Sequence, residues 1–126
     1  MPQVRILVVD DDPAINKLIQ TILREEGQGW EISSARDGEE AIRIIQEKLP
    51  DLIILDMMMP KMNGLEVCRY VTSQFQIPII MVSSECDSDT KAKCINAGAE
   101  DYITKPFPLA QFIDRVKDIV RSRNLI

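Results

Sequence analysis

The sequence of 126 residues contains no histidine. Histidine is the commonest general base near neutral pH and a common metal ligand, so its absence excludes a serine–histidine triad and a phosphohistidine carrier. Catalysis or metal binding in this chain therefore depends on carboxylates, hydroxyl groups and lysines.

Cysteines are few, and basic residues are not clustered. Cys68, Cys86 and Cys94 form neither a CxxC motif nor an even-numbered framework, so we expect free thiols and a reducing compartment, the cytoplasm. The formal net charge is -5, and the basic residues are scattered among acidic ones. This distribution argues against direct binding to nucleic acid or to an anionic membrane.

Long apolar runs are also missing. The first run, residues 4–9, is too short for a signal peptide or a membrane span, and it leads directly into three aspartates. We therefore expect no export signal and no membrane insertion. The length is that of one ordinary domain, so we expect a single domain over residues 1–126.

Five predicted strands alternate with five segments of helical periodicity. The strands cover residues 4–9, 31–35, 52–55, 78–82 and 102–104, and the second of them is more polar than the others. The run at 52–55 shows no polar alternation, which is typical of a strand covered on both faces in a parallel sheet. The alternation predicts the α/β class, with a doubly wound five-stranded parallel sheet in the flavodoxin-like order 2-1-3-4-5 and five helices.

Capping residues and apolar stripes define the first two predicted helices. Asp12 followed by Pro13 predicts the start of the first helix, and Gly27 and Gly29 predict its end. The second helix ends before Pro50. The two apolar stripes are Ile15, Leu18, Ile19, Ile22 and Leu23, and then Ala41, Ile42, Ile45 and Leu49.

The last three predicted helices differ in apolar content. Asn63 predicts a cap for the third helix, which extends to about residue 74. The fourth helix, over residues 88–97, is the least amphipathic, so we expect it to pack loosely before Gly98 ends it. The last helix carries a clear stripe that consists of Phe112, Ile113, Val116, Ile119 and Val120.

Acidic residues are concentrated at the ends of two predicted strands. Asp10, Asp11 and Asp12 follow the first strand, and Asp56 follows the third. In the predicted order these strands are neighbours at the switch point, which brings three or four carboxylates close together. Such crowding is unfavourable unless a cation lies among the carboxylates, and a shallow all-oxygen site favours Mg²⁺ over Ca²⁺.

Two further strands end in a hydroxyl group and a lysine. Ser83 follows the fourth strand and Lys105 follows the fifth, at the same edge of the sheet as the carboxylates. A donor and a positive charge beside a metal suit an anion that bridges to the metal, such as a phosphoryl group. Asp56 is the carboxylate positioned to receive that group covalently.

Each of these residues also has a purely structural interpretation. Asp56 suits a cap of the turn or helix that follows it, and Asp12 suits a cap of the first helix. Ser83 is also typical of a turn at the end of a strand, and Lys105 is also typical of an ordinary exposed lysine on the surface. The run Met57–Met59 is interpreted as loop packing, because no cysteine or histidine joins it.

Four motifs resemble those of the response-regulator receiver domain of bacterial two-component signalling. They are ILVVDDDP, LIILDMMMPKMNG, PIIMVSS and AGAEDYITKPF, and together they cover essentially the whole chain. The resemblance implies that Asp56 is the phospho-acceptor. It also implies that Asp10, Asp11, Asp56 and the backbone carbonyl of Met58 hold Mg²⁺.

The resemblance implies roles for three further residues. Lys105 is the site lysine, Ser83 the switch hydroxyl and Tyr102 the switch aromatic. The chain departs from the commoner pattern by having Ser rather than Thr at position 83, and Ser84 where Ala or Gly is frequent. Neither departure blocks the chemistry, although both alter its expected rates.

The last helical segment of the sequence also resembles part of known receiver domains. The sequence FIDRVKDIVRSR is similar to the last helix of receivers that precede a winged-helix DNA-binding domain, but the acidic residue expected near Gln111 is missing. A resemblance to dimerising receivers implies a face on which Lys91, Asp101 and Arg115 form inter-subunit ion pairs. We therefore expect a phosphorylation-dependent homodimer through helix 4, strand 5 and helix 5.

The expected function is that of a Mg²⁺-dependent phospho-receiver. Asp56 takes a phosphoryl group from the phosphohistidine of a sensor histidine kinase or a phosphotransfer protein. The chain then changes conformation to control an output domain or a partner protein. It catalyses only its own phosphorylation and dephosphorylation, so we do not expect an enzyme in the usual sense.

Two rival functions use similar features. An aspartyl-phosphate phosphohydrolase also needs an acidic Mg²⁺ site and a lysine, but it usually needs a cap, and no insertion here is large enough to supply one. A flavin-binding module shares the fold, but its phosphate site requires neutral donors where this chain places acidic residues.

Overall fold

The computed structural model describes residues 3–27, 29–85 and 87–123, in which strands and helices alternate. The strands are β1 (Arg5–Val9), β2 (Glu31–Ala35), β3 (Leu52–Leu55), β4 (Ile79–Ser83) and β5 (Asp101–Thr104). The helices are α1 (Pro13–Glu26), α2 (Gly38–Glu47), α3 (Gly64–Gln74), α4 (Ser88–Asn96) and α5 (Leu109–Ser122). Cys86, one of the predicted free thiols, lies outside the described residues.

The strands form one parallel sheet in the order β2-β1-β3-β4-β5, which confirms the predicted flavodoxin-like order. β1 lies between β2 and β3, and its last residue, Val9, pairs with Ala35 on one side and Leu55 on the other. Asp10 and Asp56 directly follow the paired residues of β1 and β3. The two carboxylates therefore emerge side by side at the carboxyl edge of the sheet.

Both faces of the sheet are buried, as the continuous apolar runs predict. α1 and α5 cover one face, where the buried cluster includes Ile6, Val8, Leu52, Ile54, Ile80, Leu23, Phe112 and Val116. α2, α3 and α4 cover the other face, where the cluster includes Leu7, Val9, Ile53, Leu55, Ile79, Ala41, Ile45, Val67 and Cys94. Each strand contributes alternate residues to the two clusters, so the sheet is the middle layer of three.

The predicted caps of α1 and α3 are confirmed. The Asp12 side chain accepts hydrogen bonds from the backbone N–H groups of Ala14 and Ile15 at the start of α1. Asn63 and Glu66 form a reciprocal capping box at the start of α3. These contacts satisfy backbone donors that a helix leaves unpaired in its first turn.

Two residues of the predicted apolar stripes are not in the core. Leu18 is 51% exposed, because the buried line on α1 runs through Asn16, Ile19 and Leu23, at three- and four-residue spacing. Leu49 is 50% exposed, because α2 ends at Glu47 and the chain has left the helix before this residue. The inclusion of these two residues in the apolar stripes was wrong.

Some element bounds also differ by one residue from the prediction. β1 begins at Arg5 rather than residue 4, β5 begins at Asp101, and α4 ends at Asn96. β4 begins after Pro78, which has no N–H to donate to the sheet, and it continues through Ser83.

The weak packing expected of α4 is confirmed, since Cys94 is its one buried residue. Cys68 and Cys94 are free thiols, as predicted, and both are buried. Burial raises the pKa of Cys68 to about 11, so this thiol stays protonated near neutral pH. Among the described residues, none of the helices is long and apolar enough to span a membrane.

Gly64 allows the first turn of α3 to lie directly against the chain that follows β3. Its N–H donates to the Met57 carbonyl at 2.9 Å, and an added Cβ would lie 2.8 Å from the Met57 Cα and against the Asp56 carbonyl oxygen. Neither neighbour is a flexible side chain that can move away. The close approach therefore requires glycine at this position.

Gly64→Ala should destabilise the protein by about 1–3 kcal/mol, since overpacking displaces backbone. Helix propensity alone predicts the opposite sign, because alanine is favoured over glycine within a helix by about 0.5–1 kcal/mol. Urea unfolding of the two proteins measures the difference. A variant as stable as the parent would show that the first turn of α3 is free to move away from the Asp56 segment.

Candidate functional site

Three carboxylates meet at the carboxyl edge of the sheet. Asp10 and Asp11 follow β1 and Asp56 follows β3, and one oxygen from each lies within 4.8 Å of the others. Asp10 is only 2% exposed and Asp56 7%, whereas Asp11 is exposed. The predicted cluster of acidic side chains is therefore present, with one side open to solvent.

The Asp10 carboxylate is held from two directions. Its Oδ1 accepts a hydrogen bond from the backbone N–H of Asp12 at 2.9 Å, and its Oδ2 accepts from Lys105 Nζ at 2.9 Å. Its own backbone N–H donates to the Ala35 carbonyl at 3.1 Å. A buried carboxylate needs such partners, since removing it from water without them is costly.

Lys105 joins the carboxylates that follow β1 and β3. Its Nζ lies 3.9 Å from Asp56 Oδ1, in addition to its contact with Asp10. The Lys105 backbone N–H donates to the Ser83 carbonyl at 2.7 Å, which fixes the end of β5 against the end of β4. The Lys105–Pro106 peptide bond is cis. Lys105 is thus part of the site rather than an ordinary surface lysine.

The electrostatics of the site favour a bound cation. Burial, followed by the charge of Asp10, raises the pKa of Asp56 from its ordinary value of 3.8 to about 6, although Lys105 acts in the opposite direction. Lys105 therefore does not fully offset the combined effect of burial and of the neighbouring Asp10 charge. The donor set of carboxylate oxygens suits a hard cation such as Mg²⁺.

The structure tests the helix-cap interpretations of the acidic residues. Asp12 is a helix cap, as proposed above. Asp56 does not cap α3, because Asn63 does so; its nearest backbone donor is the N–H of Met58, 3.4 Å from Oδ1. Met57 and Met59 pack against the core, which agrees with loop packing, whereas the Met58 side chain is exposed.

Ser83 and Tyr102 are connected through one peptide segment. Ser83 is fully buried, and its Oγ accepts a hydrogen bond from the Glu85 N–H at 3.2 Å. The Tyr102 hydroxyl donates to the Glu85 carbonyl at 2.7 Å, and Lys91 Nζ lies 5.9 Å from the centre of the Tyr102 ring. Burial raises the pKa of the Tyr102 hydroxyl above its ordinary value. Glu85 therefore links the hydroxyl to the aromatic side chain.

The residues predicted for a dimer face lie together on the surface of α4, β5 and α5. Lys91, Asp101 and Arg115 line the same groove beside Tyr102. Asp101 and Arg115 form an ion pair within the chain, with Nε and Oδ2 2.6 Å apart. Gln111, the position of the missing acidic residue, also lines this groove.

Asn16 is a buried polar residue that was not among the predicted site residues. This residue is 4% exposed, and its Nδ2 donates to the backbone carbonyls of Asp10 and Ala35, each at 3.0 Å. The available signal was its spacing of three and seven residues from Ile19 and Leu23, which places a polar amide on the buried side of α1.

Comparison with known proteins assigns the family. Residues 6–117 match the model of the response regulator receiver domain. The DNA-binding response regulator MtrA of Mycolicibacterium smegmatis is 38% identical over 117 residues, which cover 93% of this chain and 50% of MtrA. The chain thus spans about half the length of the curated relatives that it matches.

Solved structures agree with this assignment. The activated N-terminal receiver domain of Klebsiella pneumoniae RstA has a TM-score of 0.87 and 31% identity, over 93% of this chain and 98% of that one. A CheY-like receiver domain of Methanospirillum hungatei has a TM-score of 0.90 and 28% identity, over 98% of both chains. Since the family model covers the sheet and the strand ends that carry the acidic cluster, the chain belongs to the response regulator receiver domains of two-component signal transduction.

Proposed function

We propose that residues 1–126 form a single receiver domain whose Asp56 accepts a phosphoryl group from a sensor histidine kinase or a phosphotransfer protein. The observation that carries the proposal is the position of Lys105 Nζ, 2.9 Å from Asp10 and 3.9 Å from Asp56, within a cluster of three carboxylates. A nucleophilic carboxylate between a cation site and a lysine suits transfer of an anionic group.

Asp10, Asp11 and Asp56 would hold Mg²⁺, together with the backbone carbonyl of Met58 that the family resemblance implies. Bound Mg²⁺ supplies positive charge that neutralises the oxygens of the incoming phosphoryl group. The raised pKa of Asp56 supports this assignment, because it shows that burial, followed by the charge of Asp10, disfavours the carboxylate form when no cation is bound.

In the proposed reaction, an oxygen of Asp56 attacks phosphorus in line with the bond to the donor histidine. The new P–O bond forms as the P–N bond breaks, and the electron pair of the P–N bond returns to the imidazole nitrogen. Lys105 leaves its present position between Asp10 and Asp56 and pairs with a phosphoryl oxygen. Attack of water on the same phosphorus later breaks the P–O bond to Asp56, releases inorganic phosphate and restores the carboxylate.

The conformational change begins at Ser83. Its Oγ now accepts a hydrogen bond from Glu85, and after phosphorylation the hydroxyl donates to a phosphoryl oxygen. Because the Glu85 carbonyl also accepts a hydrogen bond from the Tyr102 hydroxyl, a shift of this segment changes the position of the Tyr102 side chain. α4 follows directly and has a single buried side chain, so its displacement costs little. The moving face then controls an output domain or a partner protein.

The rival functions fit the described residues less well. A phosphohydrolase needs a cap over the acidic site, but the segment between β3 and α3, residues 56–63, is too short to form one. A flavin phosphate would require free donors at the start of α1, where Asp12 already accepts two of the backbone N–H groups. Multiple turnover of a phosphomonoester would favour the first rival.

Mg²⁺ should stabilise the protein, by about 2.7 kcal/mol at a concentration of roughly 100 times Kd. Without Mg²⁺, the folded state retains a proton on Asp56 up to a pH of about 6, whereas the unfolded chain releases it near 3.8. The stability of the metal-free protein should therefore fall as pH rises through this window. Thermal melts with and without Mg²⁺ across this range measure both effects.

Asp56→Asn is the control for the pH dependence, since it removes this titration and leaves the other carboxylates in place. Asp11→Asn should retain the pH dependence but respond much less to Mg²⁺. A parent protein whose melting temperature ignores millimolar Mg²⁺ would contradict the proposed metal site.

Asp56→Asn should also abolish phosphorylation by acetyl phosphate in the presence of Mg²⁺, because it removes the nucleophile while changing little volume. Intact-mass spectrometry should find one labile phosphoryl adduct on the parent and none on the variant. Asp51→Asn is the matched control, since Asp51 precedes β3 at the opposite edge of the sheet. An equally labile adduct on Asp56→Asn would move the acceptor to another residue.

Lys105→Ala should still permit some phosphorylation but uncouple it from the movement of α4, because the phosphoryl oxygens lose their cationic partner. Hydrogen exchange of residues 88–96, measured with and without beryllofluoride, reports that movement. Lys17→Ala, on the exposed side of α1, is the matched control. If beryllofluoride changes hydrogen exchange equally in the parent and in Lys105→Ala, the lysine has no part in coupling phosphorylation to the movement of α4.

Phosphorylation should produce a dimer through α4, β5 and α5. The in-chain pair between Asp101 and Arg115 is partly exposed and is worth only about 0.2–1 kcal/mol, so exchange for inter-subunit pairs costs little. Sedimentation velocity should show a beryllofluoride-dependent dimer that Arg115→Ala weakens and Arg121→Ala retains. A parent that stays monomeric with beryllofluoride bound would exclude the dimer and require a different partner protein.

A further inference from the structure

Asn16 is a buried polar residue with no role in the function proposed so far. Among the described residues, four polar or charged side chains are buried, and Asp10, Asp56 and Ser83 belong to the candidate site. The fourth is Asn16, which comes from the first helix rather than from a strand end. An amide in a core layer is costly unless its hydrogen bonds are made, so its contacts explain its presence.

The Asn16 amide makes three hydrogen bonds. Its Nδ2 donates to the carbonyls of Asp10 and Ala35, and its Oδ1 accepts from Gln20 Nε2 at 2.7 Å. Two carbonyl acceptors on the same side require a group with two hydrogens to donate. A carboxylate or an apolar side chain of similar size does not meet this requirement.

The contact with the Asp10 carbonyl constrains both acidic residues that follow β1. That carbonyl belongs to the peptide unit between Asp10 and Asp11, which is planar. Fixing its oxygen therefore fixes the plane from which the Asp11 Cα departs. The second contact joins the Asn16 amide to the Ala35 carbonyl at the end of β2. The same carbonyl also accepts a hydrogen bond from the Asp10 N–H.

We propose that Asn16 is a positioning residue for Mg²⁺ binding, acting through the Asp10–Asp11 peptide. The proposal rests on the function proposed above. Asp11 is the exposed member of the carboxylate cluster, and the Asp10–Asp11 peptide determines where its side chain begins. Residues that hydrogen-bond to metal ligands and orient them, without contacting the metal, typically contribute about 10- to 100-fold in metal affinity. Removing the Asn16 amide should therefore weaken Mg²⁺ binding by a factor in this range.

The test is a calorimetric Mg²⁺ titration of the parent, Asn16→Leu and Ile19→Ala. Asn16→Leu retains the size of the side chain but not its donors, and Ile19→Ala destabilises the same buried line of α1 without touching Asp10. Asn16→Leu should bind Mg²⁺ about 10- to 100-fold more weakly, and Ile19→Ala should bind as the parent does. The metal-free Asn16→Leu protein should also exchange the Asp10 amide hydrogen faster.

If Asn16→Leu does not fold, Asn16→Ser carries the same comparison, since it retains one hydroxyl donor in place of two amide hydrogens. Unchanged Mg²⁺ affinity in the Asn16 variant, or an equal loss in Ile19→Ala, would overturn the positioning role. A parent that binds no Mg²⁺ would instead overturn the proposed function. The two failures are therefore distinguishable.

Discussion

The repulsion among Asp10, Asp11 and Asp56 is the constraint on which the site depends. The parallel sheet brings these carboxylates within 4.8 Å of one another, and burial raises the pKa of Asp56 to about 6. Lys105 relieves the repulsion only in part, since it contacts Asp10 more closely than Asp56. The fold thus maintains a site that is stabilised by adding positive charge, which makes it suited to a cation and to the phosphoryl group that the cation would bind.

The same edge of the sheet connects the acidic site to the face beside β5 through hydrogen bonds. Ser83 and Lys105 are joined through the backbone of β4 and β5, and Glu85 connects Ser83 to Tyr102. α4 follows this segment and is held by one buried side chain, so a small change at the strand ends has a weakly held element to displace. The strands carry most of the largest fully buried side chains. We therefore expect conformational change at the face formed by α4, β5 and α5 rather than in the sheet.

The sequence was sufficient for the strand order, because five strands alternate with five helices, and for the acidic cluster, because aspartates follow the first and third strands. It was less informative about helices. Leu18 and Leu49 were misplaced because a stripe pattern does not define the exact phase or end of a helix. Asn16 was missed because its spacing from Ile19 and Leu23 indicates only that a polar residue is buried, and its contacts with two backbone carbonyls depend on the folded structure. The in-chain pairing of Asp101 with Arg115 likewise depends on tertiary geometry.

The most direct test of the electrostatic account is a ¹³C NMR titration of the Asp56 carboxyl group with and without Mg²⁺. In the metal-free protein, the carboxyl should titrate with a pKa of about 6. Saturating Mg²⁺ should lower this pKa below its ordinary value, because a bound cation favours the charged form. A carboxyl that titrates near 3.8 in metal-free protein and does not respond to Mg²⁺ would contradict the account.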